Sequence, residues 1–121
     1  MMNPYLQVAL GGAIGSAARL GVYRAMPVQG FPLATIAVNV AGSLIMGLLA
    51  VVLTVRGGAW APLLLTGVLG GFTTFSAFSL DALTLWERGQ AASAALYVAG
   101  SVLLSLGAVF AGMAIGRGIF A

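Results

Sequence analysis

Charge is what this sequence lacks most. Of 121 residues only 6% are charged: five arginines, one aspartate and one glutamate, with no lysine. A soluble domain carries about 25%, and so few charges cannot solvate a surface. With 61% hydrophobic residues, the chain is predicted to be an integral membrane protein. Cysteine is absent, which excludes disulfides and thiol chemistry and leaves the redox compartment unread. Histidine is absent too, so the commonest metal ligand and general base is missing. Asp81 and Glu87 are the only acids and do not make a carboxylate pair, so nothing supports an enzyme. The net charge of +3 rests on scattered arginines and not on a cluster, which argues against a nucleic-acid partner.

Long apolar runs are what the sequence has. A spanning helix needs about 20 apolar residues. Runs at about residues 4–24, 32–55, 62–85 and 91–116 qualify, predicting an all-α membrane protein of four spans in a single transmembrane domain. The start, Met1-Met2-Asn3-Pro4-Tyr5, has no basic stretch and no cleavage site, so the first run reads as a retained span. Connections are short, which makes neighbouring helices antiparallel. Glycine is unusually common, at 18 residues. The pairs Gly11/Gly15 and Gly112/Gly116 have the spacing that lets helix backbones approach closely in lipid. They predict tight packing, extending into an oligomer. Orientation follows the distribution of basic residues. Arg56 and Arg117 fall on one side, Arg24 and Arg88 on the other, with Arg19 one turn inside. So balanced a count permits insertion both ways up, with an inverted copy as partner.

The third run is interrupted. Gly70-Gly71-Phe72-Thr73-Thr74-Phe75-Ser76-Ala77-Phe78-Ser79-Leu80-Asp81 places two glycines and two threonines where a continuous helix is expected. Broken backbone at membrane depth is tolerated only where protein or a polar cavity satisfies it. Two stripes of neutral donors accompany the break. Thr35, Asn39 and Ser43 recur every fourth residue in the second run, as do Tyr97, Ser101 and Ser105 in the fourth, and that spacing puts each set on one helix face. Such stripes serve either interhelical hydrogen bonding or a pore. Donors without deep carboxylates suit an anion, and the positive edges of Phe75 and Phe78 could add to them. Ordinary packing is the plainer account of those rings. Unwound carbonyls and threonine oxygens would suit a hard cation such as Na⁺, while a simple kink healed by threonine hydroxyls is the plainer account of the break.

Over its whole length the chain resembles the Fluc (CrcB) family of fluoride channels. The likeness rests on Gly11-Gly12-x-x-Gly15-x-x-x-Arg19, on Asn39-x-x-Gly42-Ser43, and most specifically on Gly70-Gly71-Phe72-Thr73-Thr74-Phe75-Ser76-x-Phe78-Ser79. It implies a dual-topology homodimer of two antiparallel copies in a prokaryotic cytoplasmic membrane. It implies two pores, and passive, selective F⁻ export that relieves fluoride toxicity. It places a structural Na⁺ at the dimer centre, on main-chain carbonyls of Gly70 and Thr73. It assigns Phe75 and Phe78 to a ring box, Asn39 to orienting that box, and Tyr97, Ser101 and Ser105 to a polar track adjoined by Thr74 and Ser76. Arg19 would border a vestibule. Asp81 stands where many relatives have glutamate. Two other readings stay open: a four-span dual-topology multidrug exporter, disfavoured by the lack of an acid before Arg24, and a non-transporting membrane assembly subunit.

Overall fold

A computed structural model describes residues 2–27 and 30–120. Every regular element among them is helical. Helix α1 spans Pro4–Ala25 and α2 spans Leu33–Arg56. A π-helical segment, Pro62–Leu69, runs without a gap into one α turn, α3, at Gly70–Phe72. Helix α4 covers Phe75–Glu87 and α5 covers Ala91–Phe120. The chain enters α1 through Asn3, whose side-chain oxygen accepts from Tyr5 N–H at 2.7 Å, and Pro4 loses nothing at that first position. It leaves α2 through Gly57 at a φ of 100°, a backbone that only glycine adopts freely.

Three stretches are long and apolar enough to cross a membrane among the described residues: Leu33–Arg56, Pro62–Glu87 and Ala91–Phe120. Helix α1 has the length, at 22 residues, but is diluted by Gln7, Ser16, Arg19 and Arg24. The expectation of four apolar runs is therefore met by three.

Two helix pairs form the body. Helix α2 lies along α5, and α1 lies along the π-helical segment and α3. Glycines make both pairings close. A Cβ on Gly11 or Gly15 would overlap the carbonyl oxygens of Leu63 or Val68, and one on Gly71 would sit 2.8 Å from Gly12 O. On the other pair, Gly47 lies against Val109 O, Gly112 against Leu44 O, and a Cβ on Gly116 would reach Val51 Cβ at 2.9 Å. The tight packing expected of the glycine pairs is thus present within one chain. The π form was not anticipated. Such helices are rare and short, and this one lies where α1 approaches most closely. Gln7, fully buried, spans that seam: its Oε1 accepts from Leu63 N–H at 3.2 Å and its Nε2 donates to Met2 O at 3.0 Å.

Candidate functional site

Between Phe72 and Phe75 the backbone leaves the helix. Thr73 has ψ 158°, and Thr74 has φ −152° and ψ 119°, both extended. Some of the groups this releases are satisfied from two directions. Asn39 on α2 pairs with the Thr74 peptide as one strand pairs with another: Thr74 N–H donates to Asn39 Oδ1 at 2.8 Å, and Asn39 Nδ2 donates to Thr74 O at 3.0 Å. Thr74 Oγ1 then accepts from Ala77 N–H at 3.2 Å and so caps α4. Thr73 Oγ1 donates back to Leu69 O at 2.8 Å. Gly42, one turn on from Asn39, leaves room for the Thr73 methyl. The threonine hydroxyls therefore heal part of the break, and the Asn39 amide heals another part.

This arrangement frees several carbonyls, those of Gly70 and Thr73 among them. In a continuous helix Thr74 N–H would bond to Gly70 O, and Ala77 N–H to Thr73 O. Those donors are instead taken by Asn39 and Thr74 side chains. Gly70 and Thr73 are the pair on which the resemblance places Na⁺. Oxygen ligands released from a helix are what a hard cation needs, so the residues present fit it.

A cavity of about 310 Å³ opens on the α2–α5 side of the break. It brings together Asn39, Thr74, Phe75, Phe78, Ser101 and Ser105, all expected at the site, and adds Ser43 and Thr73. Asn39 and Ser43 of one polar stripe meet Ser101 and Ser105 of the other at it because α2 and α5 pack together. Ser101 is buried, and its hydroxyl oxygen has no hydrogen-bond partner among the described residues. A buried hydroxyl in that state needs a guest or a water. The two phenylalanines differ. Phe78 is 9% exposed and Phe75 is 79% exposed. Their centroids are 5.4 Å apart, and Phe78 continues into Tyr97 at 5.3 Å and, edge-on, Phe31 at 5.5 Å from Tyr97.

Other expected residues lie elsewhere. Ser76 and Arg19 line a second cleft of about 420 Å³ with Ser16, Tyr23 and Thr74. Thr74 is the wall between the two spaces, and its Oγ1 lies 3.4 Å from Ser76 Oγ. Tyr97 does not line the first cavity. It is fully buried, and its hydroxyl donates to Asp81 Oδ2 at 2.9 Å. Thr35 donates to the same oxygen at 2.6 Å. Sequence reasoning left Asp81 without a partner. The signal available was its place three residues after Phe78, with Thr35 and Tyr97 each opening a polar stripe one turn from the cavity.

The chain is similar to known proteins over most of its length. Residues 6–113 match the family model described as CrcB-like protein, Camphor Resistance (CrcB). A protein of Paracoccus denitrificans named fluoride-specific ion channel FluC is 64% identical, with all of both chains covered. Proteins of the same name from Cereibacter sphaeroides and Ruegeria sp. are 59% and 48% identical, each over 98% of both chains.

Proposed function

This chain belongs to the CrcB family, and on that premise we propose that it is a passive, fluoride-selective channel of the cytoplasmic membrane, exporting F⁻ to relieve fluoride toxicity. It is no enzyme, since the family is one of ion channels. The single observation that carries the reading is the cavity beside the break, where hydroxyl and amide donors share one space with the Phe75 and Phe78 rings and the Ser101 hydroxyl lacks a partner among the described residues.

A small anion entering this space gives up water, and donors must replace it. Asn39 has two amide hydrogens and spends one on Thr74 O, which leaves one for the cavity. Ser43, Ser101 and Ser105 add hydroxyls. Phe75 and Phe78 add polarised C–H edges without a fixed charge. Neutral donors hold an anion without trapping it, as conduction requires. Fluoride, the smallest halide and the strongest hydrogen-bond acceptor, gains most from them.

The reading extends to an antiparallel dual-topology homodimer with two pores. The near balance of Arg56 and Arg117 against Arg24 and Arg88 supports it. Gly70 and Thr73 carbonyls of both copies would hold a structural Na⁺, whose charge would neutralise converging carbonyl dipoles at the centre. In this arrangement the break has two outlets: carbonyls toward a cation, rings and donors toward an anion.

The test is efflux from liposomes. Purified protein should release F⁻, read by a fluoride electrode, once a K⁺ ionophore balances charge, and should not release Cl⁻. Absence of F⁻ efflux, or efflux that requires a proton gradient, would sink the proposal.

A further inference from the structure

The hydroxyl of Tyr23 lies away from the cavity described above, yet it begins a chain of hydrogen bonds that reaches Tyr97, the ring packed against Phe78 of that cavity. Tyr23 is half-buried near the end of α1. Its oxygen lies 2.5 Å from Thr35 Oγ1 on α2. Thr35 is fully buried, and its own hydrogen goes to Asp81 Oδ2 on α4 at 2.6 Å. A hydroxyl has one hydrogen, so Tyr23 is the donor to Thr35. Tyr97 on α5 donates to the same Asp81 oxygen at 2.9 Å. One side chain from each of α1, α2, α4 and α5 thus joins a single network centred on one carboxylate oxygen.

The direction of these bonds matters. Tyr97 also has one hydrogen, and Asp81 holds it. While it does, Tyr97 cannot donate to an anion beside Phe78, the ring on which it stacks. Bonds in such a chain strengthen one another. A Thr35 hydroxyl that accepts from Tyr23 is a better donor to Asp81, and it is less free to turn back to a carbonyl of its own helix. We propose that Tyr23 is a positioning residue of the anion pathway, which fixes Thr35 on Asp81 and thereby sets how readily Asp81 releases the Tyr97 hydroxyl. The transport consequence rests on the fluoride-channel reading; the hydrogen-bond chain does not.

Tyr23→Phe removes one hydroxyl and leaves the ring. Thr35 then turns away, Asp81 binds Tyr97 more firmly, and fluoride efflux from liposomes should fall about fivefold, the worth of one ordinary hydrogen bond. In a Tyr97→Phe background there is no hydroxyl to release, and Tyr23→Phe should cost nothing further. Equal losses in both backgrounds, as from altered packing, or no loss in either, would overturn the assignment. Infrared spectroscopy supplies a readout independent of transport. The Asp81 carboxylate band is identified as the one lost in Asp81→Asn. It should shift in Tyr23→Phe, and an unmoved band refutes the chain of bonds. If the unaltered protein releases no fluoride, the channel reading fails and the pathway role of Tyr23 fails with it. The band shift still decides whether the network exists.

Discussion

At the scale of single residues, Asn39 carries more than its composition suggests. Its amide replaces two backbone partners at once, so Asn39→Ala leaves both Thr74 N–H and Thr74 O without their side-chain partner. Each unpaired buried group costs about 1–3 kcal/mol. The variant should melt earlier in detergent as well as lose fluoride efflux; a melting point equal to that of the unaltered protein would show that Asn39 does not hold the break. The two rings should separate in the same assays. Phe78 is buried against Tyr97 whereas Phe75 is open. Phe78→Ile should therefore lower both stability and flux, and Phe75→Ile flux alone. If the two variants lose stability equally, the difference in burial has no energetic meaning. That Asn39 belonged to the site was legible from its place in an apolar run, because an amide there demands a partner. The identity of that partner was not. Thr74 is 35 residues away, and a helical period relates neighbours four apart, not peptide groups on another element.

Among the elements, the break is set by Thr74 as a cap and by glycines that press the helices together. Thr74→Val keeps the shape and removes the oxygen that accepts from Ala77 N–H. It should cost about 1 kcal/mol, read as a lower melting temperature, with Thr74→Ser restoring most of it. Failure of serine to restore stability would mean that the methyl, not the oxygen, is what matters. Gly15→Ala would drive a Cβ into Val68 O and should cost roughly 1–3 kcal/mol as α1 is pushed off its partner. Gly118, with open space around it, should accept alanine without loss. Comparable melting points for the two alanine variants would contradict the close approach. The helix bounds and the interruption at Thr73-Thr74 could be read from prolines, glycines and paired threonines. The π form of Pro62–Leu69 could not, since it leaves no mark on the apolar pattern. Nor could the use of Gly11, Gly15, Gly112 and Gly116 within one chain. Small residues four apart announce a close neighbour without saying whose.

For the whole molecule, the proposal joins an anion path to an inverted pair. If balance among Arg19, Arg24, Arg56, Arg88 and Arg117 allows both orientations, extra arginines should destroy that freedom. One variant with added arginines in the α2–π loop, and another with them in the α4–α5 loop, should each be inactive alone and active when produced together. Activity of either variant by itself would contradict insertion both ways up. Replacing Na⁺ by a large organic cation throughout purification and reconstitution should weaken the dimer or its transport, and indifference to Na⁺ would remove the role proposed for Gly70 and Thr73 carbonyls. Cavity, break and donors find their purpose only if fluoride itself carries the current. The most direct measurement is the reversal potential across a planar bilayer containing the purified protein, with a fluoride gradient and equal chloride on both sides. The potential should follow the fluoride gradient as it is varied and stay fixed when a chloride gradient is imposed instead. A reversal potential that moves with chloride or protons, or no current at all, would contradict a passive fluoride channel.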